Sequence, residues 1–354
     1  MEMNTKEFLD LVEDKAGLRS SLLLDNMDVR FDNERLINLK MSGSKILDTN
    51  FHSINIDVLN IPFSIIKDFS ITSNSNVKTL YQGYSNCAGI SIYNSNVYTY
   101  KVTESNLSSL EIKRSNIDLL DLKESMIKNS FLKNSNINHL EVKDSNLKDL
   151  DINKTNFNNF YVFNSKFVNF FTDNISVKDL YLENSLLKNV DFSNISPNKI
   201  TITECPSLDL VHFDDVRISE GRISSSKLES SSFINSDLSN ITAKNSEFIG
   251  VSFQNTQFKN CSFYNCDFSH SVFTGSNIDE NVDLHFCKGN NKEIKHFVLQ
   301  DTHITYTSNT IFINNDKYNL EYYLNNKDTD ELIKTLIESN PANPTIVVDE
   351  YKNV

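Results

Sequence analysis

A stride of five apolar residues, held for most of the chain, is the feature that most restricts how this 354-residue sequence can fold. Its central run is Ile92, Val97, Val102, Leu107, Ile112, Ile117, Leu122, Ile127, Leu132, Ile137, Val142, Leu147, Ile152 and Phe157. Two positions before each of these, serine alternates with a large aliphatic, as in Ser105, Leu110, Ser115, Leu120 and again Ser135, Leu140, Ser145, Leu150. A Ser-Asn pair returns every ten residues at 75–76, 85–86, 95–96, 105–106, 115–116, 135–136 and 145–146, with variants at 125, 155 and 165. Five matches neither the helical period of 3.6 nor a long strand alternation. It fits short extended segments, in which residues two apart share a face, each followed by a turn.

The stride starts near Leu36, steps by six from Ile71 to Val77, loses its phase around Pro197 to Pro206, and resumes at Leu208. From Phe213 to Ile278 it holds for fourteen consecutive beats, in units such as SerGluPheIleGly (246–250) and CysSerPheTyrAsn (261–265). Residues 36–280 resemble the pentapeptide-repeat family, whose units place a small residue, then Asp or Asn, then Leu or Phe, then two variable positions. The resemblance implies an all-β solenoid, a right-handed parallel quadrilateral β-helix with about twenty residues per coil. The centre residue and the one two before it then point inward, and the other three face water. A lone side of this kind cannot bury its apolar centre, so coils must stack at roughly 4.8 Å. The buried serine hydroxyls need backbone partners. Asn235, Asn240, Asn245, Asn255, Asn260 and Asn265 close their units and suit left-handed turns, which lets the chain manage with 8 Gly and 5 Pro against 49 Asn and 43 Ser.

Three parts follow: a helical cap over 1–35, the solenoid over 36–280 with an irregular break near 193–206, and a hairpin and helix over 281–354 that acts as cap or dimerisation segment. In the first, residues 4–16 read as an amphipathic helix capped by Asn4 or Thr5 and stopped at Gly17, with Phe8, Leu11 and Val12 on one face and Leu22, Leu23 and Leu24 helping to plug the first coil. In the last, Ile304, Tyr306, Ile311 and Ile313 alternate around Ser308-Asn309, a hairpin pattern. Asp328 with Glu331 then forms a capping-box pattern for a helix through Leu332, Ile333, Leu336 and Ile337 that Pro341 ends. The expected state is a monomer, or a homodimer through 281–354.

No Gly-rich phosphate loop, GxSxG elbow or His-Glu-x-x-His motif occurs, so no enzyme is expected and no cofactor. His285, Cys287, His296 and His303 come nearest to a metal set, but their spacing matches no zinc module. Cys261 and Cys266 fall in the small inward slot and read as core residues. Five cysteines without disulfide spacing, an acidic amino end and no long apolar run suggest a cytoplasmic protein that does not engage a membrane.

Several members of the family resemble duplex DNA in shape and charge and bind DNA gyrase, so the resemblance implies a protein partner and the charge tests which kind. The chain carries 34 basic and 47 acidic residues, net −13, but residues 36–280 carry 22 and 27, net −5. A duplex as long as those coils, roughly 58 Å at the strand spacing, bears about 34 phosphates. Mimicry by the whole solenoid fails on magnitude. Residues 207–280 hold 5 basic and 10 acidic residues, and stacking at twenty residues places Asp209 under Glu229 and Glu247 under Asp267, with Asp214, Asp215 and Glu220 beside the first pair. Those residues are a candidate surface for a DNA-handling enzyme such as a type II topoisomerase, or an ordinary solvated face. Direct nucleic-acid binding is disfavoured by the negative balance. A second candidate surface arises where outward slots carry rings: Tyr161 and Tyr181 stacked on one side with Phe163 beside them, and Phe171 opposite. This set suits a scaffold or assembly component of a phage-related or defence complex, or else rings that shield one another.

Overall fold

A computed structural model describes residues 2–16, 23–31, 35–278, 281–289, 294–299, 302–307, 310–314, 316–326 and 328–339. It divides into two compact units, Met1–Leu186 and Leu187–Val354, in each of which the chain winds as a right-handed parallel β-solenoid.

In the first unit, strands of eight residues begin every ten: Asn76–Gly83, Asn86–Tyr93, Asn96–Thr103 and onward to Ser176–Glu183. Each pairs in parallel with the strand twenty residues later, so that Asn96 faces Asn116 and Asn116 faces Asn136. One coil therefore takes twenty residues, and each strand bends once along its length. The residue before each repeated serine is left-handed, as at Asn94, Glu104, Arg114, Glu124 and Asn134. A third corner is left-handed at Gly89, Ser109, Asn129, Asp149 and Asn169, whereas the fourth, at Thr99, Leu119, His139 and Asn159, keeps extended backbone. Here the structure departs from the expectation of a turn after every fifth residue.

The inward positions are those of the stride: Leu110, Ile112, Ser115 and Ile117 are each at most 2% exposed. Ser115 shows how the buried serine hydroxyls of the run bond the backbone. Ser115 Oγ donates to the carbonyls of Lys113 (2.9 Å) and Ile92 (3.2 Å) and accepts the Ser95 N–H at 3.2 Å. The same link joins Ser85 to Ser105, Ser105 to Ser125, Ser125 to Ser145 and Ser145 to Ser165. Two serine ladders thus climb inside the wall and satisfy amides that water cannot reach. The largest polar side chain in this core is Gln82, 1% exposed, which accepts from Tyr100 Oη at 2.9 Å and donates to Cys87 Sγ at 2.6 Å. The six-residue step at Ile71–Val77 is an inserted residue, with Ser73 and Asn74 both left-handed and Asn55 paired with Asn76.

The helix Thr5–Ala16 covers the start of this unit. Asn4 is its cap: its Oδ1 accepts the Glu7 N–H at 3.0 Å while Glu7 Oε2 accepts the Asn4 N–H at 2.9 Å. Phe8 is fully buried edge-on against Phe31 and Phe51. Leu24 points inward but Leu23 is half exposed; Gly17 and Leu22 lie outside the described residues.

In the second unit, beyond Ser207–His212, the sides of the solenoid shorten to strands of two to five residues, among them Glu220–Ser224, Lys227–Glu229, Asp237–Ser239, Ile241–Lys244, Glu247–Ile249 and Gln257–Lys259. Left-handed asparagines at 235, 240, 245, 255, 260 and 265 turn the chain at the expected places. Phe192, Phe213, Phe233, Phe253 and Phe273 stack one above another with centroids 4.9–5.5 Å apart. Around Pro197 the coil is maintained rather than lost: Phe192, Ile195, Pro197, Ile200, Ile202, Cys205 and Leu208 all point inward. The phase shift is one added residue, since Lys199 pairs with Glu220 and the Cys205 amide donates to Ser226 Oγ.

Beyond the last coil, Lys295–Leu299, Thr302–Tyr306, Thr310–Ile313 and Asp316–Asn319 form an antiparallel sheet. It extends the expected hairpin by a strand on each side; Ser308 and Asn309 lie outside the described residues. Helices Leu320–Asn325 and Glu331–Ser339 follow, and Tyr323, Ile333 and Ile337 pack on Ile304, Tyr306 and Ile311. Asp330, not Asp328, caps the final helix, its Oδ1 accepting from the Leu332 amide at 2.8 Å and the Ile333 amide at 3.3 Å. Asp328 lies too far ahead of the first turn to reach those amides, and Pro341 is outside the described residues. Thr305 Oγ1 donates to the Cys287 carbonyl at 2.8 Å and Lys317 Nζ to that of Val282 at 3.2 Å, which ties this segment to the final coil.

Candidate functional site

In the first unit, Tyr161, Val162 and Phe163 form the far limb of the bent strand Asn156–Phe163, and Tyr181 lies directly opposite Tyr161 on Ser176–Glu183. Alternation sends Val162 inward and the two rings out. Tyr161 and Tyr181 meet edge to face at 6.0 Å, Phe163 lies 5.3 Å from Tyr181 and 6.3 Å from Tyr161, and all three are half-buried. The cluster therefore exposes one continuous aromatic surface while its rings shield one another. Tyr181 Oη donates to Glu183 Oε2 at 2.5 Å, which fixes the ring's tilt. Below the cluster the same two columns are charged, with Asp121 and Glu141 under Tyr161 and Lys123 and Lys143 under Phe163. Phe171, about half exposed, belongs to the opposite sheet beside Asp151.

In the second unit, the stacking of Asp209 on Glu229 and of Glu247 on Asp267 is as the twenty-residue spacing requires. Most of these carboxylates are matched by bases. Lys227 reaches Glu229 at 2.8 Å and Glu247 at 3.6 Å, Lys199 reaches Glu220 at 3.2 Å, and Lys188 reaches Asp209 at 3.7 Å. The Glu229 contact and charge, with Glu247 beside them, raise the Lys227 pKa above its ordinary value. Asp214 Oδ1 instead accepts the Ile234 amide at 2.7 Å, Asp267 Oδ1 the Ser269 amide at 2.9 Å, and Asp215 occupies a left-handed corner. Such exposed pairs add little stability, but they remove local charge from the surface. Lys227 was legible from its own position, twenty residues before Glu247; Lys188 and Lys199 were not, because the added residue puts them twenty-one before Asp209 and Glu220.

Among the described residues, no group of three or more His, Cys, Asp and Glu side chains is arranged to hold a metal. His285 packs on Phe312, His303 on Phe286, Cys287 is buried, and the His296 side chain lies outside the described residues. Cys261 and Cys266 fill inward slots at 1% and 2% exposure. Burial pushes the Cys87 thiol up to about 12, against the Gln82 contact that favours thiolate. At about pH 8, far below that value, the thiol stays protonated and enclosed. Maleimide is therefore expected to leave Cys87 unmodified in the folded chain and to label all five cysteines after denaturation; peptide mapping that finds rapid native labelling of Cys87 would contradict this core. Among the described residues, no helix is long and apolar enough to cross a membrane.

A family model described as pentapeptide repeats (8 copies) matches residues 226–263 and 252–280. No curated protein matches the sequence. Among solved structures the chain is similar to HetL, a pentapeptide repeat protein involved in heterocyst differentiation regulation from the cyanobacterium Nostoc sp. strain PCC 7120, at 12% identity over 80% of this chain and 96% of that one, with a TM-score of 0.26. It is also similar to full-length QnrB1, a plasmid-mediated fluoroquinolone resistance protein, at 17% identity over 52% and 94%, with a TM-score of 0.22. The A-module of the mannuronan C-5 epimerase AlgE6 of Azotobacter vinelandii gives 13% identity over 76% and 85%, with a TM-score of 0.28.

Proposed function

From the premise that the chain is a pentapeptide-repeat protein, we propose that it works without catalysis, as a scaffold that presents a rigid aromatic surface to a protein partner. The observation that carries this reading is the three-ring cluster of Tyr161, Phe163 and Tyr181, whose centroids lie 5.3–6.3 Å apart on ladder-paired strands. Grouped aromatics on rigid backbone lose little conformational entropy on binding and are the residue types that anchor interfaces. The columns of opposite charge beneath them supply a polar rim.

A second reading, an inhibitor or protector of a DNA-handling enzyme, is favoured by the in-register pairs Asp209/Glu229 and Glu247/Asp267. Lys188, Lys199 and Lys227 weaken it by pairing with four of the carboxylates concerned. One experiment separates the two. The chain and two variants are used to capture partners from the native host, with mass spectrometry as the readout and a DNA supercoiling assay on any topoisomerase recovered. Changing Tyr161, Phe163 and Tyr181 together to Ser is expected to lose the partner, while changing Asp209, Asp214, Glu229, Glu247 and Asp267 to Lys leaves it bound. Retention by the serine variant and loss by the lysine variant would replace the scaffold reading with the inhibitor one.

A further inference from the structure

The near limbs of the same bent strands carry a second surface, independent of the aromatic cluster. Asn76, Asn96, Asn116, Asn136 and Asn156 stand one above another, each exposed. Each amide donates from Nδ2 to the Oδ1 of the one before, at 3.0, 2.9, 3.0 and 2.9 Å in order, and Ser176 Oγ completes the row by donating to Asn156 Oδ1 at 2.7 Å. Beside it runs a second column of Lys78, Tyr98, Asp118, Asn138 and Asn158. The two columns wall an open groove of about 620 Å³, within the range of small-ligand sites. On the opposite sheet the matching column is interrupted: Asn106 bonds Asn86 at 3.0 Å, but Met126 and Lys166 break the row.

Three properties limit what such a groove can hold. First, its lining carries no net charge: it holds one cation, Lys78, paired with Asp57 at 2.9 Å, and one carboxylate, Asp118, which accepts from Asn138 at 2.9 Å. A polyanion such as nucleic acid gains nothing there. Second, each ladder amide keeps one N–H and one oxygen lone pair free of its neighbours, so every rung offers the same donor and acceptor pair. Third, the rungs repeat at roughly 4.8 Å. An extended peptide advances by about 3.3 Å per residue, or 6.6 Å per like-facing pair, and falls out of step. A chain of β-1,4-linked pyranose rings advances by close to one rung per ring, and because successive rings are turned over, its like-facing hydroxyl or acetamido groups return at about every second rung and stay in step. Tyr98, 66% exposed on the rim, offers the flat face on which a sugar ring stacks.

We propose that the groove from Asn76 to Ser176 binds a neutral, linear β-1,4-linked glycan, laid along the asparagine ladder. The row spans about 24 Å at the strand spacing, room for about five rings. The test is calorimetric titration of the full chain with cello-oligosaccharides and chito-oligosaccharides of two to eight rings. Affinity is expected to rise with length and level off near five or six rings. The double change Asn116→Ala and Asn136→Ala should weaken hexasaccharide binding at least about tenfold, and so should Tyr98→Ala, an exposed position whose change leaves the coil intact. Asn106→Ala, on the opposite sheet, should leave binding unaltered. No heat with either hexasaccharide at millimolar concentration would overturn the proposal, as would equal affinity for short and long chains or full binding by Tyr98→Ala.

Discussion

Replacing Phe233 by alanine is expected to destabilise the second unit by about 3–5 kcal/mol. The ring is 2% exposed and lies between Phe213 at 5.0 Å and Phe253 at 5.5 Å, nearly parallel to both. Truncation removes its own burial, leaves a void that flanking coils held by backbone ladders cannot close, and breaks two ring contacts each worth about 0.5–1.5 kcal/mol. Phe233→Leu keeps most of the volume and is expected to cost less than half as much. The measurement is the urea midpoint together with hydrogen exchange of the amides around Phe213, Phe233 and Phe253. A solenoid is coupled mainly between neighbours, so exchange should rise first there. A loss under about 1 kcal/mol would mean that the ring is not packed as described.

The second large effect concerns a small residue. Ser115 is 1% exposed, and its hydroxyl accepts the Ser95 N–H and shares its one proton between two carbonyls. In Ser115→Val the Ser95 amide is left buried without a partner, at about 1–3 kcal/mol. The branched side chain also crowds Ile117 and its neighbours, at a further cost of about 1–3 kcal/mol. Ser115→Ala should show the first cost alone, and Ser115→Cys should recover much of it. The chain already places cysteine in that slot elsewhere: Cys261 and Cys266 are 1% and 2% exposed, their thiols donating to the Lys259 and Tyr264 carbonyls two residues before. Thermal unfolding followed by circular dichroism orders the three variants. Valine as stable as cysteine would refute the account of the ladder.

The inward set was legible because its spacing is strict: Ile112, Ser115 and Ile117 can share the interior only if the chain turns a full circuit in a multiple of five residues. The stacking of Tyr161 on Tyr181, and of Asp209 on Glu229, follows from the same arithmetic. What the sequence hid was set by one-residue insertions and by single side chains. The added residue before Leu208 moved Lys188 and Lys199 under carboxylates that counting by twenty had left unpaired. Gln82 fills an interior slot reserved for an aliphatic, and only the three-dimensional wall reveals that Tyr100 and Cys87 satisfy it. The asparagine column was visible as Ser-Asn pairs, but the repeat alone does not show that their amides bond one another from coil to coil. From 76 to 156 they lie on strand faces, whereas at 235–265 they make the corners. At the final helix, Asp328 fitted the spacing rule for a cap and Asp330 fitted the geometry.

The serine links join each coil to its neighbour and never close within one coil. Excising a whole twenty-residue circuit would therefore leave every surviving rung meeting an equivalent one, and the wall motifs would stay aligned. Removing five or ten would instead swing all later outward columns onto a different side. Apart from a single residue taken up at a corner, as at Ser73 and Asn74, length in such a chain can vary in whole turns without loss of surface pattern.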